Sequence, residues 1–69
     1  MENNIYKYRV LLKMSQEELA KKCHVSRQTI NAIENNKYNP SLKLAFNLSD
    51  VLNTSVDDLF IRENVNRSD

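Results

Sequence analysis

Apolar side chains recur along this chain at the three- and four-residue intervals of a helix, and no β-branched alternation of period two appears. Between Ser15 and Asn36 the apolar positions are Leu19, Ala20 and Cys23, then Val25, then Ile30 and Ile33. That spacing predicts two short helices, over 16–23 and 27–35, crossing at a tight turn: a helix-turn-helix unit. Ser15 with Glu18 three residues on is a capping box, and Ser26 is placed to cap the second of the pair.

A first helix is predicted over 3–13, with Ile5, Arg9 and Leu12 on one stripe. A fourth, over 41–52, starts at Ser41 after Asn39-Pro40 and is expected to bury Leu42, Ala45, Leu48, Ser49 and Leu52. The fifth, over 56–61, is short, capped by Ser55, with Val56, Leu59 and Phe60 turned inward. The fold class is therefore all-α: one compact five-helix domain over residues 1–61, with a polar tail at 62–69. The only strand the pattern admits is a short one in Ile61–Val65.

The chain has no glycine, so other residues must take the left-handed positions where helices end. Asn36 and Asn53, after the third and fourth helices, and His24 in the turn are expected there. One cysteine and one histidine exclude an internal disulfide and a structural zinc site, and no cofactor is expected. Stability in 69 residues must then come from close helix packing, helped by a subunit interface. The opening MENNIYKYRV has no apolar core and no apolar run exceeds three residues, so the expectation is no signal peptide, no membrane contact and a cytoplasmic protein.

A net charge of +1 conceals an asymmetry. Residues 1–45 carry eight Lys/Arg against four Glu, whereas residues 46–69 carry two Arg against five acids. The basic part holds the helix-turn-helix and is expected to face phosphate, and the acidic part to face away. On the third helix Arg27, Gln28, Asn31 and Ala32 are left for solvent, with no carboxylate among them. Arg pairs bidentately with guanine, Gln or Asn with adenine, and a small residue leaves room for a thymine methyl. These four are the candidate base contacts. Gln16 at a helix start, Ser26, Thr29, and the loop Lys37, Tyr38 and Asn39 are the candidate contacts to the DNA backbone.

At this point the residues carry a family resemblance. From Ser15 to Phe60, S-Q-E-E-L-A, V-S-R-Q-T-I-N-A-I-E, N-P-S-L and L-N-T-S-V-D-D-L-F together resemble the Xre/Cro-type helix-turn-helix proteins with the lambda-repressor-like fold. The length is similar to the short stand-alone repressors of that group, including one for a bacterial cytolysin operon. The resemblance implies a five-helix bundle that binds DNA as a two-fold dimer. His24 and Asn36 depart from it, since relatives usually carry Gly there.

Other groups have structural readings. Arg9 and Glu34 each fall on an apolar stripe, and an unpaired buried charge costs several kcal/mol, so they are expected to pair; the resemblance implies the same bridge. Cys23 is a small core residue rather than a nucleophile, and Asp57 and Asp58 complement a helix dipole rather than bind metal. Leu44, Phe46 and Ile61, with Phe60, are the apolar side chains assigned to a homodimer interface. The expectation is a non-enzymatic DNA-binding transcriptional regulator: a dimeric repressor on a palindromic double-stranded operator, with no small-molecule ligand. The alternative is a protein-interaction module, an antitoxin or adaptor whose main ligand is another protein.

Overall fold

Serine opens four of the five helices. In the computed structural model, which describes residues 1–61, α1 (Ile5–Leu11) is followed by α2 (Gln16–Lys22), α3 (Arg27–Glu34), α4 (Leu42–Val51) and α5 (Val56–Leu59). Ser15, Ser26, Ser41 and Ser55 precede the last four, and each Oγ accepts the backbone N–H three residues ahead. At Ser15 the box is complete, because Glu18 accepts the serine N–H at 3.0 Å. That backbone bond, with the serine hydroxyl second, holds the exposed Glu18 carboxyl below the usual range. Helix α1 starts differently: Asn4 provides no side-chain cap, and Asn3 Oδ1 accepts the Ile5 N–H at 3.1 Å.

Four helices end alike, and none of them uses glycine. Lys13, His24, Asn36 and Asn53 have φ of 55°, 59°, 61° and 55°. At each, the residue that follows donates its N–H five residues back: Met14 to Arg9, Val25 to Ala20, Lys37 to Ala32 and Thr54 to Ser49. The left-handed residue itself donates three back, completing a Schellman motif that satisfies carbonyls a helix end leaves open. The sequence marked three of these positions. Lys13 carried no compositional signal, since lysine has no preference for that region.

The closed turns reverse the chain sharply enough for the five helices to share one core. Ile5, Leu19, Ile30, Ile33, Leu48, Leu52 and Leu59 are almost wholly excluded from solvent, with Ala20, Cys23 and Ala45 filling between them. The core stripe of α4 lies one step from the expected one. Leu44 is buried (9% exposed) and Leu42 is not (71%), because Leu42 sits roughly 90° from the centre of the stripe formed by 44, 45, 48, 49 and 52. Leu12 is also exposed, because α1 stops at Leu11 and the Lys13 turn carries the chain away; Tyr8 and Met14 pack on the core instead.

Phe60 leaves the helix for an extended conformation and forms an antiparallel bridge with Asn3. Asn4 N–H donates to the Leu59 carbonyl at 2.7 Å and Ile61 N–H to the Glu2 carbonyl at 2.9 Å. The two ends of the domain are thereby joined. The extended segment begins one residue before the strand expected in 61–65, and the rest of that strand and the tail at 62–69 lie outside the described residues. No helix among the described residues is long and apolar enough to cross a membrane.

A β-carbon in the left-handed region costs about 1–2 kcal/mol, and Lys13 is exposed and makes no ion pair among the described residues, so little is lost by removing its side chain. Lys13→Gly should raise the melting temperature by a few degrees, the equivalent of roughly 0.5–1 kcal/mol after the greater freedom of the unfolded glycine. An unchanged or lower midpoint in a thermal melt would mean that the turn carries no such strain.

Candidate nucleic-acid interface

Helix α3 buries Ile30 and Ile33 against the core and turns Arg27, Gln28 and Asn31 outward. These three side chains line one open depression of about 530 Å³. Arg27 also borders a second, of about 430 Å³, with Arg9, Ser15, Gln16 and Glu17. The start of α2 and the start of α3 thus lie side by side. Ala32 is half-buried, as is Thr29, whose hydroxyl lies 3.0 Å from that of Ser26. Ser26 Oγ also accepts the Thr29 N–H, so both hydroxyls are fixed at the N-terminus of α3.

Beneath this face sits an ionic network. Arg9 Nε donates to Glu34 Oε2 at 2.7 Å and Nη2 donates to Oε1 at 3.2 Å, a two-pronged pair whose side chains are only 12% and 7% exposed. Arg9 Nη1 donates to the Met14 carbonyl at 2.9 Å, and Gln16 Nε2 donates to Glu34 Oε1 at 3.2 Å. The Tyr6 ring lies 5.3 Å from the Arg9 guanidinium carbon and covers its outer face. Hydrogen bonding to Glu34 raises the Arg9 pKa, and burial only partly offsets it. One carboxylate at the end of α3 thereby holds the last turns of α1 and the first residue of α2.

On the other side of α3, Thr29 and Tyr38 line a depression of about 400 Å³ with His24, Lys43 and Asn47. Lys37 and Asn39 are exposed beside Tyr38 in the loop after α3. Lys43 was not singled out from sequence except as charge. Its pattern position, one residue past an expected core leucine, gave no reason to place it beside α3. Cys23 is buried, and burial pushes its thiol pKa up, away from the reactive thiolate. Among the described residues no three His, Cys, Asp or Glu side chains gather where they could hold a metal ion.

The four residues assigned to a subunit interface separate into two pairs. Leu44 and Phe60 are 9% and 8% exposed and belong to the domain's own core, so they are not free to meet a partner. Phe46 and Ile61 are 52% and 43% exposed. Leu42, one turn before Phe46, joins them on the surface, beside an apolar groove of about 320 Å³ that Leu42 lines with Pro40, Ala45, Val56 and Phe60.

Two helices that cross at a glycine-free turn, the second presenting long polar side chains, agree with what comparison finds. A helix-turn-helix family model matches residues 5–59. The chain belongs to the helix-turn-helix family. It is 52% identical over 63 residues to an HTH-type transcriptional regulator of Methanocaldococcus jannaschii, covering 91% of this chain and 96% of that one. A similar regulator of Archaeoglobus fulgidus is 48% identical over 61 residues, covering 88% and 86%.

Among solved structures, this helix-turn-helix protein is similar to the N-terminal DNA-binding domain of SinR from Bacillus subtilis. The TM-score is 0.70 and the identity 38%, over 75% of this chain and 77% of that one. It is also similar to a hypothetical transcription factor from Neisseria, with a TM-score of 0.72 and 30% identity over 77% of this chain. A restriction-modification controller protein gives 0.68 and 35% over 74%. The chain spans 60% and 66% of the length of those last two. The protein is accordingly a transcriptional regulator with a helix-turn-helix DNA-binding fold, in a family of regulators rather than enzymes.

Glu34→Ala should destabilise the domain by roughly 3–5 kcal/mol, because it leaves the largely buried Arg9 guanidinium without its counter-charge. Urea or thermal unfolding measures this. A loss below about 1 kcal/mol would place the pair among solvent-screened surface bridges.

Proposed function

We propose that the protein is a dimeric transcriptional repressor that reads a palindromic operator with α3 in the major groove, working in the cytoplasm where the DNA is. The observation that carries this reading is the outward set Arg27, Gln28 and Asn31, three side chains of base-pairing chemistry on one exposed face with no acid among them. Arg27 is suited to guanine O6 and N7, and Gln28 and Asn31 to base edges beside it. Ala32, half-buried next to Asn31, leaves the backbone close to the bases.

Gln16, with Ser26 and Thr29, takes phosphates on one side of the groove. Lys37, Tyr38 and Asn39, with Lys43 behind them, take phosphates on the other. Glu34 occupies one N–H of the Gln16 amide and leaves the second for a phosphate oxygen. The backbone contacts set register, and the three outward side chains set sequence.

One α3 spans only a few base pairs, so a second copy is required for a useful operator length. Leu42, Phe46 and Ile61, large apolar side chains exposed on the surface, supply the apolar contact for a two-fold pair. Such a pair would present its two α3 helices about 34 Å apart, one turn of duplex. Excluding RNA polymerase by occupying the site is then sufficient for repression.

Competition binding at several salt concentrations tests the reading face. Arg27→Ala should cost about 1–3 kcal/mol and relax preference at one base pair in each half-site. Lys37→Ala should weaken all sequences alike and reduce the salt slope by about one. If Arg27→Ala leaves both affinity and preference intact, α3 does not read the bases. For the pairing, Ile61→Asp should convert a dimer sedimenting at micromolar concentration into a folded monomer with weak half-site binding. A wild type that sediments as a monomer without DNA would contradict a preformed dimer.

A further inference from the structure

Asn31 favours one orientation of its amide over the other. Asn35, one turn on and at the C-cap of α3, donates from Nδ2 to the Asn31 backbone carbonyl at 2.9 Å and to the Asn31 side-chain Oδ1 at 3.1 Å. The first bond fixes the orientation of both amides. A backbone carbonyl can only accept, so the Asn35 atom facing it must be the nitrogen. That nitrogen then requires an acceptor on Asn31, so the Asn31 oxygen is the atom turned back along the helix. What Asn31 offers outward is its –NH2, two donors.

We propose that Asn35 is a positioning residue for base specificity: by holding Asn31 Oδ1, it biases Asn31 to read as a donor and so to favour guanine over adenine. The inference rests on the major-groove reading above. The pairing of an asparagine with adenine needs one donor, to N7, and one acceptor, for the N6 amino group. With Oδ1 engaged, the acceptor half of that pair is weakened. Guanine presents N7 and O6, both acceptors and close together, and one nitrogen bearing two hydrogens can serve both, as a lysine ammonium does. Asn35 touches no base in this scheme. It acts only through the amide it holds.

The strength of the device is modest, because both residues are exposed. An amide pair four residues apart on a helix surface is worth a few tenths of a kcal/mol, about a twofold bias in an equilibrium. Two substitutions therefore read it from opposite sides. Asn35→Ala removes the donor and frees Asn31 to turn. Asn35→Asp replaces the donor by an acceptor that is repelled from the Asn31 carbonyl and, once turned off it, draws the Asn31 –NH2 back so that its oxygen faces outward.

The experiment uses the whole chain and duplexes selected from a random pool, followed by single base-pair changes in the selected site. Asn31→Ala first identifies the base pair that Asn31 reads. At that pair the wild type should prefer guanine, Asn35→Ala should lower the guanine-to-adenine ratio by about twofold, and Asn35→Asp should reverse it. Preference at the pair read by Arg27 should not move in either variant. A purely structural role for Asn35 would instead weaken every sequence equally. If Asn31→Ala identifies a pair but Asn35→Ala and Asn35→Asp both keep the wild-type ratio there, this inference fails and the reading face stands. A wild type that prefers adenine at that pair also overturns it. If neither Asn31→Ala nor Arg27→Ala alters any base pair, the major-groove reading fails as well.

Discussion

The Glu34 carboxylate is the constraint on which the rest of the arrangement depends. It lies at the end of α3 and is shared by Arg9 from α1 and Gln16 from α2, with the Arg9 guanidinium bonded again to the Met14 carbonyl. Three helices and the turn between the first two converge on one group. An ion pair this shielded gains little over a well-packed apolar contact, since desolvation offsets much of the attraction. Its directional bonds do something a greasy contact would not. They fix the rotation of α3 about its own axis relative to α2, and that rotation decides which side chains look outward.

A second constraint operates at the helix ends. Four Schellman turns bring short helices round quickly, so seven to ten residues suffice for each of α1 to α4. The chain makes all four without glycine and accepts left-handed backbone at a lysine, a histidine and two asparagines. Serine caps at the opposite ends satisfy the N–H groups that would otherwise be open. Local chemistry thus specifies where each helix starts and stops, and tertiary burial needs only to collect the faces.

Much of this was legible because serine, asparagine and the three-to-four spacing of leucine and isoleucine are unambiguous over short ranges. The four serine caps, the turns at His24, Asn36 and Asn53, and the outward set on α3 all follow from such signals. What was not legible depended on tertiary context. Leu42 and Leu44 are equally apolar and two residues apart, so only the packing of α4 decides which is buried: Leu44 lies beside Cys23 and Val25 at the α2–α3 turn, and Leu42 borders an open groove with Met1 and Val56. Phe60 looked like the last turn of a helix, yet it pairs with Asn3, fifty-seven residues earlier. The Asn35–Asn31 contact was invisible for another reason: two asparagines four apart on a polar face carry no pattern until side-chain directions are known.

Amide and side-chain NMR spectra of the labelled protein, recorded as a mixed-sequence duplex is added, test the placement of the DNA interface most directly. The account predicts that signals of Gln16, Ser26 to Asn31, and Lys37 to Asn39 shift together, while those of α1's exposed residues and Asp57 and Asp58 stay in place. Perturbation centred on α1 or on the α4–α5 side, with α3 unmoved, would contradict it.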